Sequence, residues 1–81
     1  MDKTYQPVAC ALHSEYELLA MHRSKVLING IDDQGRVLQP QCHVEDIRTS
    51  QGAEYLVALD NDNNHHHFRL DKIHSIEQIK D

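Results

Sequence analysis

At 81 residues the chain has room for one core and no second one. Hydrophobic residues make up 40% with no tryptophan and one phenylalanine, so the core must come from Leu, Ile and Val with Tyr5, Tyr16 and Tyr55 at its margin, and so thin a core leaves little stability to set against a strained, buried active site. Eight Lys and Arg against thirteen Asp and Glu give a formal charge of −5, which disfavours direct binding to a phosphate backbone and favours a basic partner surface.

Residues 1–12 carry Pro7 and no clear period, so they read as an ordered N-terminal arm laid on the core through Tyr5, Val8, Ala9 and Leu12. Ser14-Glu15-Tyr16-Glu17 matches a capping box, which predicts a helix over about 14–23 with Arg23 at its negative pole. On a helical wheel Tyr16, Leu19 and Ala20 form one stripe, while Leu18 and Met21 project from the other side among Glu15, Glu17 and His22. The second group is either an exposed protein-contact surface or is sandwiched between the barrel and the arm.

From Lys25 the chain turns to β-branched residues. Val26 to Ile31 reads as a strand entering a hairpin at Asp32-Asp33-Gln34-Gly35, and Arg36 to Val44 as a long second strand bent at Pro40. Glu45 to Gly52 reads as a polar connection, and Glu54 to Leu59 as a central strand. Asp60 to Asn64 is rich in residues that tolerate left-handed backbone and cap their own turns, so it predicts a hairpin. His65 to Leu70 follows with period two, placing His66, Phe68 and Leu70 on one face, and a last strand runs from about Ile73 to Ile79. One helix and five short strands imply a mainly β fold, a small antiparallel barrel over about 25–79, because rolling up a sheet removes its exposed edges.

Among candidate chemistries, His43, His65, His66, His67 and His74 are potential metal ligands, but consecutive strand residues point to opposite faces and three in a row do not converge on one ion. No metal site is therefore expected. Asp60 to Asn64 lacks the glycine and glutamate of a calcium loop. No nucleophile elbow or phosphate cradle occurs, so neither an enzyme nor a cofactor is expected. Cys10 and Cys42 are far apart and read as small buried or half-buried residues. The apolar runs are short and the first residues lack a signal-peptide pattern, which predicts a cytoplasmic protein with no membrane contact.

Thr4-Tyr5-Gln6-Pro7 followed by Cys10, then Glu17-Leu18, Glu54-Tyr55-Leu56-Val57 and Phe68-Arg69-Leu70-Asp71-Lys72-Ile73, resembles the Rho-binding antiterminator family, called Rof. The resemblance implies an Sm-like five-stranded barrel preceded by one N-terminal helix. It also implies a non-enzymatic protein that binds the transcription termination factor Rho on its N-terminal OB-type RNA-binding domain, blocks RNA loading and so inhibits termination. Ala11 and Leu12 stand where the family carries aspartates, which moves the expected Rho contacts to Ser14, Glu15, Glu17, Leu18 and Met21, with Arg48, Thr49, Ser50 and Gln51 as a second group. The alternative is an Sm-like module that binds single-stranded RNA itself. Nothing in the strands specifies ring assembly, so the expected free state is a monomer.

Overall fold

A computed structural model describes residues 5–32 and 34–79; Thr4 and the rest of the first four residues, and Asp33 of the expected turn, lie outside them. One helix is followed by five strands: α1 (Cys10–Met21), β1 (Lys25–Asp32), β2 (Val37–Leu38), β3 (Gln41–Ser50), β4 (Ala53–Asp60) and β5 (His65–Gln78). No helix among these residues is long and apolar enough to cross a membrane.

The helix begins four residues before the capping box. Ala9, extended at φ −58° and ψ 145°, is its N-cap without any side-chain cap, and the His13 amide closes the first turn on the Ala9 carbonyl at 2.9 Å. Cys10-Ala11-Leu12 thus belong to the helix and not to a coil, because Ala and Leu favour helix and Pro7 sits far enough upstream not to interfere. Ser14 is helix interior, and Glu17 meets His13 Nδ1 at 3.0 Å in place of a reach back to Ser14. At the other end the Ser24 amide bonds to the Leu19 carbonyl and the Arg23 amide to that of Ala20, the nested pair of a Schellman stop. Arg23 therefore lies past the helix, in the left-handed region at φ 49°. Cys10 is exposed, against expectation, because it opens the helix at the surface; Cys42 is buried, and burial pushes its thiol up to about 11.

All strand pairings are antiparallel. β1 pairs with β2, β3 and β5, β3 with β4, and β4 with β5. The expected second strand is two, since Pro40 has no N–H to give a ladder and leaves β2 only two residues long. The expected polar connection is strand: β3 runs on to Ser50 through a register shift between Val44 and Asp46. Gln51 and Gly52, both at positive φ, then form the two-residue link to Ala53, as a type I′ hairpin requires. The two expected last strands are one. Residues 65–69 of β5 pair with β4, and residues between Phe68 and Gln78 pair with β1. Gly30 allows this crossing, because a Cβ there would stand 3.0 Å from the Lys72 carbonyl oxygen and 3.1 Å from Ile73 Cα.

Alternation along the strands builds the core. Val26, Ile28, Cys42, Val44, Leu56, Ala58, Phe68 and Leu70 point inward, and Tyr16 of the helix closes over them at 5% exposure. Two carboxylates organise the turns. Asp60 Oδ1 accepts from the Asp62 and Asn64 amides, with Asn63 left-handed, as the hairpin expected there requires. Asp32, its side chain 2% exposed, accepts from the Gln34 and Arg36 amides and from the Arg36 guanidinium. Burial alone would raise the Asp32 carboxyl, but the backbone and guanidinium hydrogen bonds from Arg36 and the Gln34 amide outweigh it and hold the carboxyl below its usual range.

Candidate protein-binding surface

Helix α1 presents two stripes. Tyr16 is buried, and Leu19 and Ala20 pack against the core, whereas Leu18 and Met21 are 52% and 72% exposed. Glu15, Glu17 and His22 are exposed around them. Of the two alternatives for Leu18 and Met21, the exposed surface is the one the fold adopts.

The second predicted group lies on the strand that the helix covers. β1 partners β3 only at residues 41–43, and α1 packs against β3. The helix end lies by the middle of β3: Glu17, Ala20 and Met21 share a cleft with Glu45, Asp46 and Ile47, and the Val44 amide bonds to the Ser24 carbonyl. Its start lies by the far end of β3, since His13 Nε2 is 2.9 Å from Glu54, the residue paired with Thr49. Both groups therefore belong to neighbouring parts of one surface. Ser14, Glu15, Glu17, Leu18 and Met21 are on the helix; Arg48, Thr49 and Ser50 are exposed on β3, and Gln51 is in the turn after it. Arg48 is not open to a partner on equal terms with the others, because its Nε donates to Asp46 at 3.2 Å.

Within the Glu45 to Gly52 stretch, expected as a second contact, sequence reasoning singles out Arg48 to Gln51 and not Glu45 and Asp46. They add two carboxylates to the cleft that holds Glu17, over a floor of Ala20, Met21 and Ile47. Reading this stretch as a connection hid them, although Val44 and Ile47 flank them as the inward residues of a bulged strand.

Of the residues that carry the resemblance, Glu17 and Leu18 lie on this helix surface, whereas Tyr5, Gln6, Glu54, Arg69 and Asp71 gather elsewhere. Tyr5 Oη donates to Glu54 Oε2 at 3.3 Å, and the Arg69 guanidinium lies 5.9 Å from the Tyr5 ring centre. Arg69 also donates to Asp71 at 2.6 and 3.1 Å, and the Gln6 amide donates to Asp71 at 2.9 Å. Burial pushes the Tyr5 hydroxyl up to about 12, with help from the Glu54 carboxylate. Burial also works to raise the Asp71 carboxyl, but the Arg69 and Gln6 hydrogen bonds outweigh it and leave the carboxyl low. Tyr5, Gln6, Glu54, Arg69 and Asp71 thus form a clasp that ties the arm to β4 and β5. The clasp reaches the helix through His13, which stands beside Glu54 without hydrogen-bond geometry and contacts Glu17 at its other ring nitrogen.

The histidine run divides between the two faces of β5. His66 Nε2 is 2.7 Å from Asp60 and stacks near Phe68, while His65 Nε2 is 2.9 Å from Glu45. Among the described residues no three His, Cys, Asp or Glu side chains are grouped to hold a metal ion. No protein-family model matches this chain, and no curated protein matches it.

Proposed function

We propose that this chain is a non-enzymatic inhibitor of transcription termination factor Rho, docking on the N-terminal RNA-binding domain of Rho and keeping RNA from loading. One observation carries the reading: Leu18 and Met21 stand exposed between the carboxylates of Glu15 and Glu17, on a helix held rigid by its buried Tyr16 stripe. A groove that binds single-stranded RNA offers cations to phosphates and apolar faces to bases. A fixed helix with acids and aliphatic groups on one side is complementary to both. The contacts are Ser14, Glu15, Glu17, Leu18 and Met21, joined by Arg48, Thr49, Ser50 and Gln51 on the adjoining strand.

The double pairing of β1 with β3 and β5 favours an Sm-like barrel as the finer description of the sheet. In this reading the protein works in the cytoplasm, as a monomer when unbound.

Titration calorimetry with purified Rho at low ionic strength tests the proposal. Binding that weakens as salt rises, together with loss of a cytosine-rich oligonucleotide from Rho, is the expected result; no binding at low salt overturns it. Tight binding of short single-stranded RNA without Rho identifies the chain as an RNA-binding module instead.

A further inference from the structure

The flank of α1 that faces β5 differs in chemistry from the flank that faces β3. Leu12, Leu19, Ile73 and Ile76 line a recess of about 270 Å³ between helix and strand. Leu18, Leu19 and Ile76 line a second of about 310 Å³. The two share Glu15, Leu19 and Ile76, so they form one groove along the helix. Its outer wall is exposed, with Leu12 at 38% and Leu18 at 52%. Glu15 is the one carboxylate that lines it, and no Lys or Arg is among its described lining residues.

We propose that this groove seats an apolar side chain of a protein partner, with a neighbouring Lys or Arg of that partner meeting Glu15. Size and charge select that occupant. Pockets for small molecules run to about 300–1,000 Å³; of the two recesses one, about 270 Å³, lies below that range and the other, about 310 Å³, at its foot, so each suits one or two side chains. A phosphate backbone or an anionic lipid would meet the Glu15 carboxylate and the −5 charge of the chain, whereas a basic residue beside an aliphatic or aromatic one satisfies both walls. The inference rests on α1 being the docking element of the proposed function and adds a contact on the flank opposite the acidic cleft. Leu12 is its anchor, so recognition here depends on burial more than on charge.

Calorimetry on the Rho hexamer with the full chain separates the two ideas. Leu12→Asn and Leu18→Asn, both at exposed positions, are expected to weaken binding about 10-fold each with the salt dependence unchanged. Glu15→Gln is expected to cost a few-fold and flatten that dependence. Ser75→Trp, which fills the groove from the β5 side, is expected to weaken binding as Leu12→Asn does, and melting curves confirm that each variant folds. Wild-type affinity in Leu12→Asn and Ser75→Trp overturns the groove while leaving the Rho reading in place. Should the unaltered chain not bind Rho, the Rho reading fails, and the groove is judged with a synthetic helical peptide whose leucines recur at three- and four-residue spacing among lysines. Amide shifts at Leu12, Leu18, Ile73 and Ile76 that vanish in Leu12→Asn sustain it, and their absence overturns it.

Discussion

The clasp around Tyr5 and the outer face of α1 both display carboxylates, and they use them in opposite ways. In the clasp, Asp71 is consumed by Arg69 and the Gln6 amide, and Glu54 by Tyr5. On the helix, Glu15 and Glu17 stay exposed beside Leu18 and Met21, with Glu17 in contact with His13. A carboxylate that is already desolvated and paired contributes to holding the fold; one left in water keeps its hydrogen-bonding capacity for a partner. The clasp thus spends its carboxylates on the fold, whereas those of the outer helix face stay in water.

Four measurements break or sharpen that contrast. Reversing both helix acids, Glu15→Lys with Glu17→Lys, is expected to weaken Rho binding roughly 100-fold, about 2.7 kcal/mol, while the melting temperature moves little; a cooperative loss of stability would place these residues with the frame. Asp71→Ala should do the converse, costing about 2 kcal/mol of stability because Arg69 and the Gln6 amide each lose a charged acceptor in a mostly buried setting, seen as a lower urea midpoint. A helix surface that stayed folded in that variant would bind as before, so reduced affinity at full folding would link the clasp to the contact.

Acid should act on the frame first. Asp32 and Asp71 have carboxyls held below the ordinary 3.8 in the folded chain, so the unfolded chain takes up their protons first as pH drops. Their stabilisation is complete above that value and is lost as pH falls through the lower folded values. Urea midpoints between pH 6 and pH 2 should therefore decline, less steeply in Asp32→Asn and Asp71→Asn; equal slopes would show that these carboxylates do not govern acid unfolding. The smallest effect is a gain: Arg23→Gly relieves a left-handed residue at the Schellman stop and should stabilise by about 0.5–1 kcal/mol, raising the melting temperature with no change in Rho affinity.

Features set by neighbours in the chain could be read from the residues alone. The alternation of Val26 and Ile28, the self-capped turn at Asp60 to Asn64, and the two stripes of the helix all follow from a period of two or 3.6 and from side chains that bond to their own backbone. The start of α1 was misplaced because Ser14-Glu15-Tyr16-Glu17 fits a cap in isolation, whereas His13 claims Glu17 and Ala9 serves as the cap in the folded chain. Glu45 and Asp46 were not singled out because their polarity resembles a loop, and only the packing of α1 against β3 makes them part of a cleft. The merger of the last strands, and the clasp that joins Tyr5 to Arg69 across most of the chain, depend on partners distant in sequence. Such contacts form only when the assembled fold has offset the loop entropy of bringing them together, so no local pattern encodes them.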